Sequence, residues 1–210
     1  MTCATLNHSA ACLCLRLLTL ATVLLAGCAR LPPEPLPTAQ DQILNRLEQW
    51  QLEGKLGYRS PEDSGSAFVH WQQKPDAFQV TLTGPFGAGA TRIQADVTGA
   101  VLRRAGSEDI RAASAAELTT WLFGWQWPID QMRYWIKGLP APEPRAVRTE
   151  RDANGRLVHL EQAGWTLAFD RYALFEQWLL PGRVKGRYGD ISFTLIIKNW
   201  SAEANTASWP

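Results

Sequence analysis

Apolar and polar residues change their spacing several times along the chain, and each change predicts an element. From Asp41 to Gln49, Ile43, Leu44 and Leu47 recur at helical spacing, which predicts a short helix. At Trp50 the period becomes two. Trp50, Leu52, Leu56 and Tyr58 alternate with Gln51, Glu53, Lys55 and Arg59, as in a strand buried on one face. Three more segments alternate in the same way: Ser66–Gln73, with Ala67, Val69 and Trp71 on one side; Phe78–Thr83; and Thr91–Val97. The turn-forming runs Pro61–Gly65 and Lys74–Asp76 separate the first three, and strands this close in sequence form an antiparallel meander.

Helical periodicity returns at Ser114-Ala115-Ala116-Glu117, a capping-box pattern in which the serine oxygen and the glutamate carboxylate would each satisfy an end-of-helix N–H. Leu118, Trp121, Leu122 and Trp125 follow at i, i+3, i+4 and i+7 and predict one apolar stripe. A second short helix is expected over Asp130–Lys137, stopped by Gly138 and the proline-rich segment to Pro144. Strands are expected again over Arg145–Glu150, Leu157–Gln162 and Trp165–Tyr172. A closing hairpin of Pro181–Tyr188 and Ile191–Trp200 follows. The fold class is therefore mainly β with an α+β character. Its curved antiparallel sheet forms an open, incomplete barrel, with the short helices as a lid over what could be an apolar cavity or a filled core.

The first residues follow a different logic. Leu13–Leu25 is an apolar run long enough for the core of an export signal and short of the ~20 residues of a membrane span. It ends in Leu25-Ala26-Gly27-Cys28, which resembles a bacterial lipobox, the plainer alternative being an ordinary cleavage site with an incidental cysteine. In the lipobox reading residues 1–27 are removed and Cys28 carries the acyl groups. Residues 28–40 then form an acylated end and tether, with four prolines between Ala29 and Pro37 that exclude helix. Residues 41–200 form the binding domain and 201–210 a polar tail.

Composition narrows the chemistry. All four cysteines (Cys3, Cys12, Cys14 and Cys28) lie in the first 28 residues, so the domain has no disulfide and must rely on its core. Beyond Cys28 the 20 acidic side chains are balanced by 20 basic ones, Arg16 being the one lost, and the electrostatic footprint of a nucleic-acid binder is missing. All ten tryptophans lie in the mature chain, which suits a large apolar interior or a lipid-facing surface. Enzymatic chemistry finds little support. The mature histidines are His70 and His159, and neither G-x-S-x-G nor H-E-x-x-H occurs. The carboxylate pairs Glu62/Asp63 and Glu108/Asp109 fall in turn-like stretches. No catalytic residue, metal site or cofactor is expected beyond the acyl groups on Cys28.

Five short motifs, in order from about Trp50 to Trp200, carry a resemblance. They are Gly54-Lys55-Leu56-Gly57, Trp71-Gln72-Gln73, Leu82-Thr83-Gly84-Pro85-Phe86-Gly87, Tyr134-Trp135-Ile136-Lys137-Gly138-Leu139-Pro140-Ala141-Pro142, and Lys198-Asn199-Trp200. Together with the lipobox they are similar to the LolB family of outer-membrane lipoprotein receptors. The resemblance implies an open β-barrel with a helical lid over an apolar cavity. It also implies a monomer, lipid-anchored at the periplasmic face of the outer membrane, that takes triacylated lipoproteins from a LolA-like carrier and inserts them into the membrane's inner leaflet. Ala29, rather than an aspartate, follows the lipobox cysteine and agrees with outer-membrane residence. Gly84, Pro85, Phe86 and Gly87 would form the membrane-insertion loop, with Phe86 where the family often has an aliphatic residue. Trp121, Leu122 and Trp125, with Trp135 on the next helix, are the candidates for acyl contact, core packing being the alternative for each. The alternative function is a non-catalytic lipoprotein that scaffolds envelope assembly.

Overall fold

The structure, a computed structural model, describes residues 37–84 and 89–202. The export signal, Cys28, the tether up to Leu36, Pro85, Phe86 and Gly87 of the loop, and residues 203–210 of the tail lie outside the described residues.

Helix α1 (Ala39–Asn45) begins two residues before the expected start, because Thr38 and Asp41 form a complete capping box. Thr38 Oγ1 accepts from the Asp41 N–H at 3.1 Å, and an Asp41 carboxylate oxygen accepts from the Thr38 N–H at 2.9 Å. The strands β1 (Trp50–Arg59), β2 (Ser64–Gln73), β3 (Phe78–Thr83) and β4 (Thr91–Asp96) form the expected meander. Two further strands extend it, β5 (Gly99–Arg104) and the short β6 (Ile110–Ala112), neither of which is expected from the sequence pattern. Only Ala100 and Leu102 of β5 are buried, and a two-residue alternation beside Arg103 and Arg104 gives a weak periodic signal.

After the helical segment come β7 (Arg148–Arg151), β8 (Leu157–Gln162) and β9 (Trp165–Asp170). A separate small hairpin, β10 (Ala173–Phe175) and β11 (Trp178–Leu180), also went unread. Strands β12 (Arg183–Tyr188) and β13 (Ile191–Ser201) close the chain. The eleven strands of the main sheet are ordered β6-β5-β4-β3-β2-β1-β13-β12-β9-β8-β7. The first half of the chain thus grows outward from β1 and the second half returns inward to β13, so that the first and last strands pair at the centre. Strands β6 and β7 are opposite edges, and the sheet is not closed.

The central β1/β13 pair is held in register by a bulge. Glu53 faces Asn199 while Gly54 faces Ile197, which leaves Lys198 as the extra residue. A Cβ on Gly54 would sit 2.4 Å from the Ile196 carbonyl oxygen, so the close approach of the two backbones requires glycine there.

Helix α2 (Ala115–Phe123) and helix α3 (Ile129–Trp135) lie in the connection between the two sheet edges. Ser114 caps α2 by accepting from the Glu117 N–H at 3.3 Å, which realises one half of the expected box. Gly124, at φ +77°, ends the helix in the left-handed conformation. That early stop corrects the expected stripe. Leu118 is buried, but Trp121 is 58% exposed under the Arg104 guanidinium, and Trp125 lies beyond the helix. Helix α2 packs on β4, β5 and β6, whereas Trp135 of α3 reaches Gln162 of β8, so the segment crosses the inner face of the sheet from one half to the other.

Candidate functional site

The alternating strands turn their apolar residues to the side that the helical segment covers, and a cavity lies between the two. Leu56, Val69, Trp71, Val80, Ile93 and Leu195 form its floor. Thr119 and Phe123 of α2, Trp127 of the connection, and Ile129 and Met132 of α3 form its roof. Thr119 is the one polar side chain among these, and its hydroxyl is fully occupied. It donates to the Ala116 carbonyl at 2.7 Å and accepts from the Trp127 N–H at 3.0 Å. Apart from that hydroxyl and the indole N–H groups of Trp71 and Trp127, the lining is apolar. Its free volume is about 40 Å³, room for a few waters at most. In this closed arrangement no acyl chain fits, and entry requires the roof to move.

Aromatic rings join the roof to the second half of the sheet. Trp127 packs on Phe193 at 5.3 Å and on Phe123 at 5.5 Å, and Trp125 stacks on Trp127 at 4.6 Å and touches Trp165 at 5.8 Å. These contacts hold by dispersion and ring electrostatics, without directional fasteners. Beside them opens a groove of about 400 Å³, bounded by Trp125, Trp127, Ile129, Trp165, Tyr188 and Ile191, with Gln126, Asp130 and Gln131 on its polar side. Trp127 and Ile129 border both the groove and the closed cavity.

The ends of the roof are fastened differently. Gln162, 1% exposed, accepts from the Trp135 indole N–H at 2.7 Å and the Ala141 N–H at 2.9 Å, and donates to the Ala141 and Pro144 carbonyls at 2.7 Å each. Lys137, 5% exposed, donates to the carbonyls of Leu47 at 3.0 Å and Leu44 at 3.4 Å, at the C-terminal end of α1. Burial, with the Arg133 charge adding to it and Glu48 opposing, lowers the Lys137 pKa to about 8. Lys137 also borders a second cleft of about 430 Å³, whose walls carry Glu48, Lys74, Asp76 and Arg133 and do not suit an acyl chain. A third fastener is the ion pair of Arg151 with Asp41 at 2.8 Å, which ties α1 to β7.

Among the sequence candidates for acyl contact, only Trp125 is at the groove, and none lines the closed cavity. Trp121 faces outward, Leu122 is half-buried away from the lining, and Trp135 is completely buried with its indole N–H committed to Gln162. Phe123, Trp127, Ile129 and Met132 are not among those candidates, because the apolar helical period runs on through Gly124 in the sequence; with the helix stopped at that glycine, Trp125 and Trp127 form an alternating pair. Of the loop candidates, Gly84 is described and half-buried, and the others lie outside the described residues.

Among the described residues no three His, Cys, Asp or Glu side chains converge on a common point. Asp63 is occupied by the Tyr58 hydroxyl at 2.7 Å and the Ser64 N–H at 2.7 Å, and Asp109 by Arg103 at 3.0 Å. No described helix is long and apolar enough to cross a membrane.

An unclosed antiparallel sheet with helices over a largely apolar cavity defines a protein built to cover apolar matter. The family model described as outer membrane lipoprotein LolB matches residues 48–200, and the chain belongs to the LolB family of outer-membrane lipoproteins. It is 37% identical over 195 residues to the outer-membrane lipoprotein LolB of Cellvibrio japonicus (strain Ueda107), covering 90% of this chain and 96% of that one. It is 38% identical over 187 residues to the same-named protein of Stutzerimonas stutzeri (strain A1501), with 85% and 90% covered. Among solved structures, a LolA superfamily protein from Nitrosomonas europaea aligns with a TM-score of 0.48 and 9% identity, over 78% of this chain and 93% of that one.

Proposed function

We propose that this protein receives triacylated lipoproteins from a LolA-like periplasmic carrier, holds their acyl chains between the sheet and the helical roof, and releases them into the inner leaflet of the outer membrane. The observation that carries this reading is the largely apolar cavity, whose Thr119 hydroxyl is internally satisfied and whose roof is held to the second half of the sheet by aromatic ring contacts. Each CH₂ of an acyl chain exposed to water costs about 0.8 kcal/mol, so a triacylated protein cannot cross an aqueous space uncovered. Transfer then needs only a graded affinity, from carrier to receptor to bilayer. The receptor acts as a monomer, without cofactor or catalysis.

In this reading Cys28 carries the anchor and Phe86, beyond the end of β3, enters the bilayer during release. Cys28→Ala should yield unprocessed or soluble protein. The central test uses the mature chain with Cys28→Ser, mixed with a carrier loaded with an acylated protein. The acylated protein is expected to move to the receptor. If it stays on the carrier, and no fatty-acyl probe enters the receptor, the proposal fails and the scaffold alternative takes its place.

A further inference from the structure

Buried indole groups are treated in two ways in this fold. Two core tryptophans have an acceptor for the indole N–H: Trp135 has Gln162 at 2.7 Å and Trp71 has Gln73 at 3.2 Å. The indole N–H groups of Trp125 and Trp127 are buried without any protein acceptor. A buried donor left without an acceptor is destabilising, and here two such donors stand on rings stacked 4.6 Å apart. Trp178 and Trp200 share the condition, but they border a void with no free volume, whereas the rings of Trp125 and Trp127 border the 400 Å³ groove, from which their N–H groups are screened in this arrangement. Trp127 is 4% exposed, its backbone is pinned to Thr119, and its ring stands between that groove and the closed cavity.

An acyl chain attached to a lipoprotein is not purely apolar. Each chain ends in an ester or amide carbonyl, which also loses its water when the chain is buried and then needs a donor. Unpaired donors on the protein and desolvated acceptors on the cargo are complementary. We propose that the groove beside the roof is the seat of the acyl linkage: once the roof moves to admit the chain and uncovers these donors, Trp127, assisted by Trp125, donates its indole N–H to an ester or amide carbonyl of the bound lipid. The chain itself passes Trp127 and Ile129 into the cavity, and the polar part of the acylated terminus lies along Gln126, Asp130 and Gln131. This inference rests on the acyl-binding reading above and adds to it a preference for the linkage over the hydrocarbon.

The test compares a palmitoyl glycerol ester with the alkyl ether of equal length, by calorimetric titration of the mature chain carrying Cys28→Ser. The ester is expected to bind about tenfold more tightly, the worth of one hydrogen bond to an otherwise unpaired buried donor. Trp127→Phe keeps the ring and removes the donor. It should bring the ester-to-ether ratio close to one, whatever happens to the affinity for the ether. If Trp127→Phe does not fold, the wild-type ratio and the ratio in Trp125→Phe decide. Equal binding of ester and ether by the wild type, or an unchanged ratio in the folded variant, overturns the inference and leaves the acyl-binding reading standing. Binding of neither lipid overturns both.

Discussion

The Gln162 side chain and the Trp135 indole meet at 2.7 Å inside the protein, and the same amide spends its remaining capacity on the backbone of Ala141 and Pro144. One residue of β8 therefore fixes both the second roof helix and the proline-rich segment that follows it. Gln162→Leu conserves approximate volume but leaves the Trp135 indole and the Ala141 N–H buried without an acceptor. We expect a loss of about 2–4 kcal/mol in urea unfolding, with the Trp135 emission moving toward that of a wetter indole. A loss below about 1 kcal/mol would mean that this segment is held by packing alone.

Lys137 gives the protein a stability that depends on alkaline pH. Its folded pKa is about 8 against 10.5 for a free lysine, because burial disfavours the cation. Between those values the unfolded chain binds more protons than the folded one, so stability rises with pH across that window, by up to about 3 kcal/mol. Tyr58 acts in the opposite sense: burial, and then the Asp63 carboxylate that accepts from it, raise its pKa from 10 to about 12. Burial likewise raises that of Tyr172. Both favour the neutral phenol in the fold, so stability falls above pH 10. Urea midpoints should therefore climb from pH 8 to a maximum near pH 10. In Lys137→Met the climb should disappear; a variant that kept it would place its origin elsewhere.

The legibility of this chain in sequence followed the strength of its periodicities. Strands such as β1 and β13, with long runs of one-sided alternation, were readable because the sheet buries a single face. Strand β6 and the β10/β11 hairpin were not, since three residues hold barely one period. The motifs that carried the family resemblance are largely fasteners. Gly54 permits the approach to Ile196, Gln73 satisfies Trp71, Lys137 grips the end of α1, and Asn199 meets Glu53 at 3.0 Å. The cavity lining was less visible, because apolar side chains look alike in sequence and only the fold decides which of them meet. Trp135 and Trp127 are the same residue type eight positions apart; the acceptor supplied by Gln162 separates core from groove, and it lies on a distant strand.

Phe86 is expected to act at delivery and not at uptake. It follows Pro85 and is flanked by Gly84, Gly87 and Gly89, residues without side chains that could cover it. Burying a phenylalanine in a bilayer contributes about 2 kcal/mol, enough for transient contact if the proposed anchor at Cys28 holds the domain in place. Phe86→Glu should therefore leave folding and acyl-probe uptake at wild-type levels and block insertion of cargo into liposomes. A variant that loses uptake would assign Phe86 to the interior, and one that inserts normally would remove it from the delivery step.

The closed roof makes a further prediction about affinity. Since about 40 Å³ cannot admit an acyl chain, the binding-competent state has the roof displaced, and its population limits the apparent affinity. Thr119 is a fastener within the roof that does not depend on ring packing: its buried hydroxyl, on α2, holds the N–H of Trp127 in the connection at 3.0 Å, and so keeps the Trp127 ring in its place on the sheet. Thr119→Val preserves the shape and leaves that N–H unpaired, which should destabilise the closed roof by about 1–3 kcal/mol. If uptake proceeds through the open state, the same substitution should tighten binding of a fluorescent fatty acid, by up to roughly tenfold for each 1.4 kcal/mol by which it favours opening. The two measurements must then move in opposite directions, stability down and affinity up. Weaker binding together with lower stability would show that the closed geometry around Trp127 is itself the binding form, and that the cavity enlarges by local repacking and not by displacement of the helices.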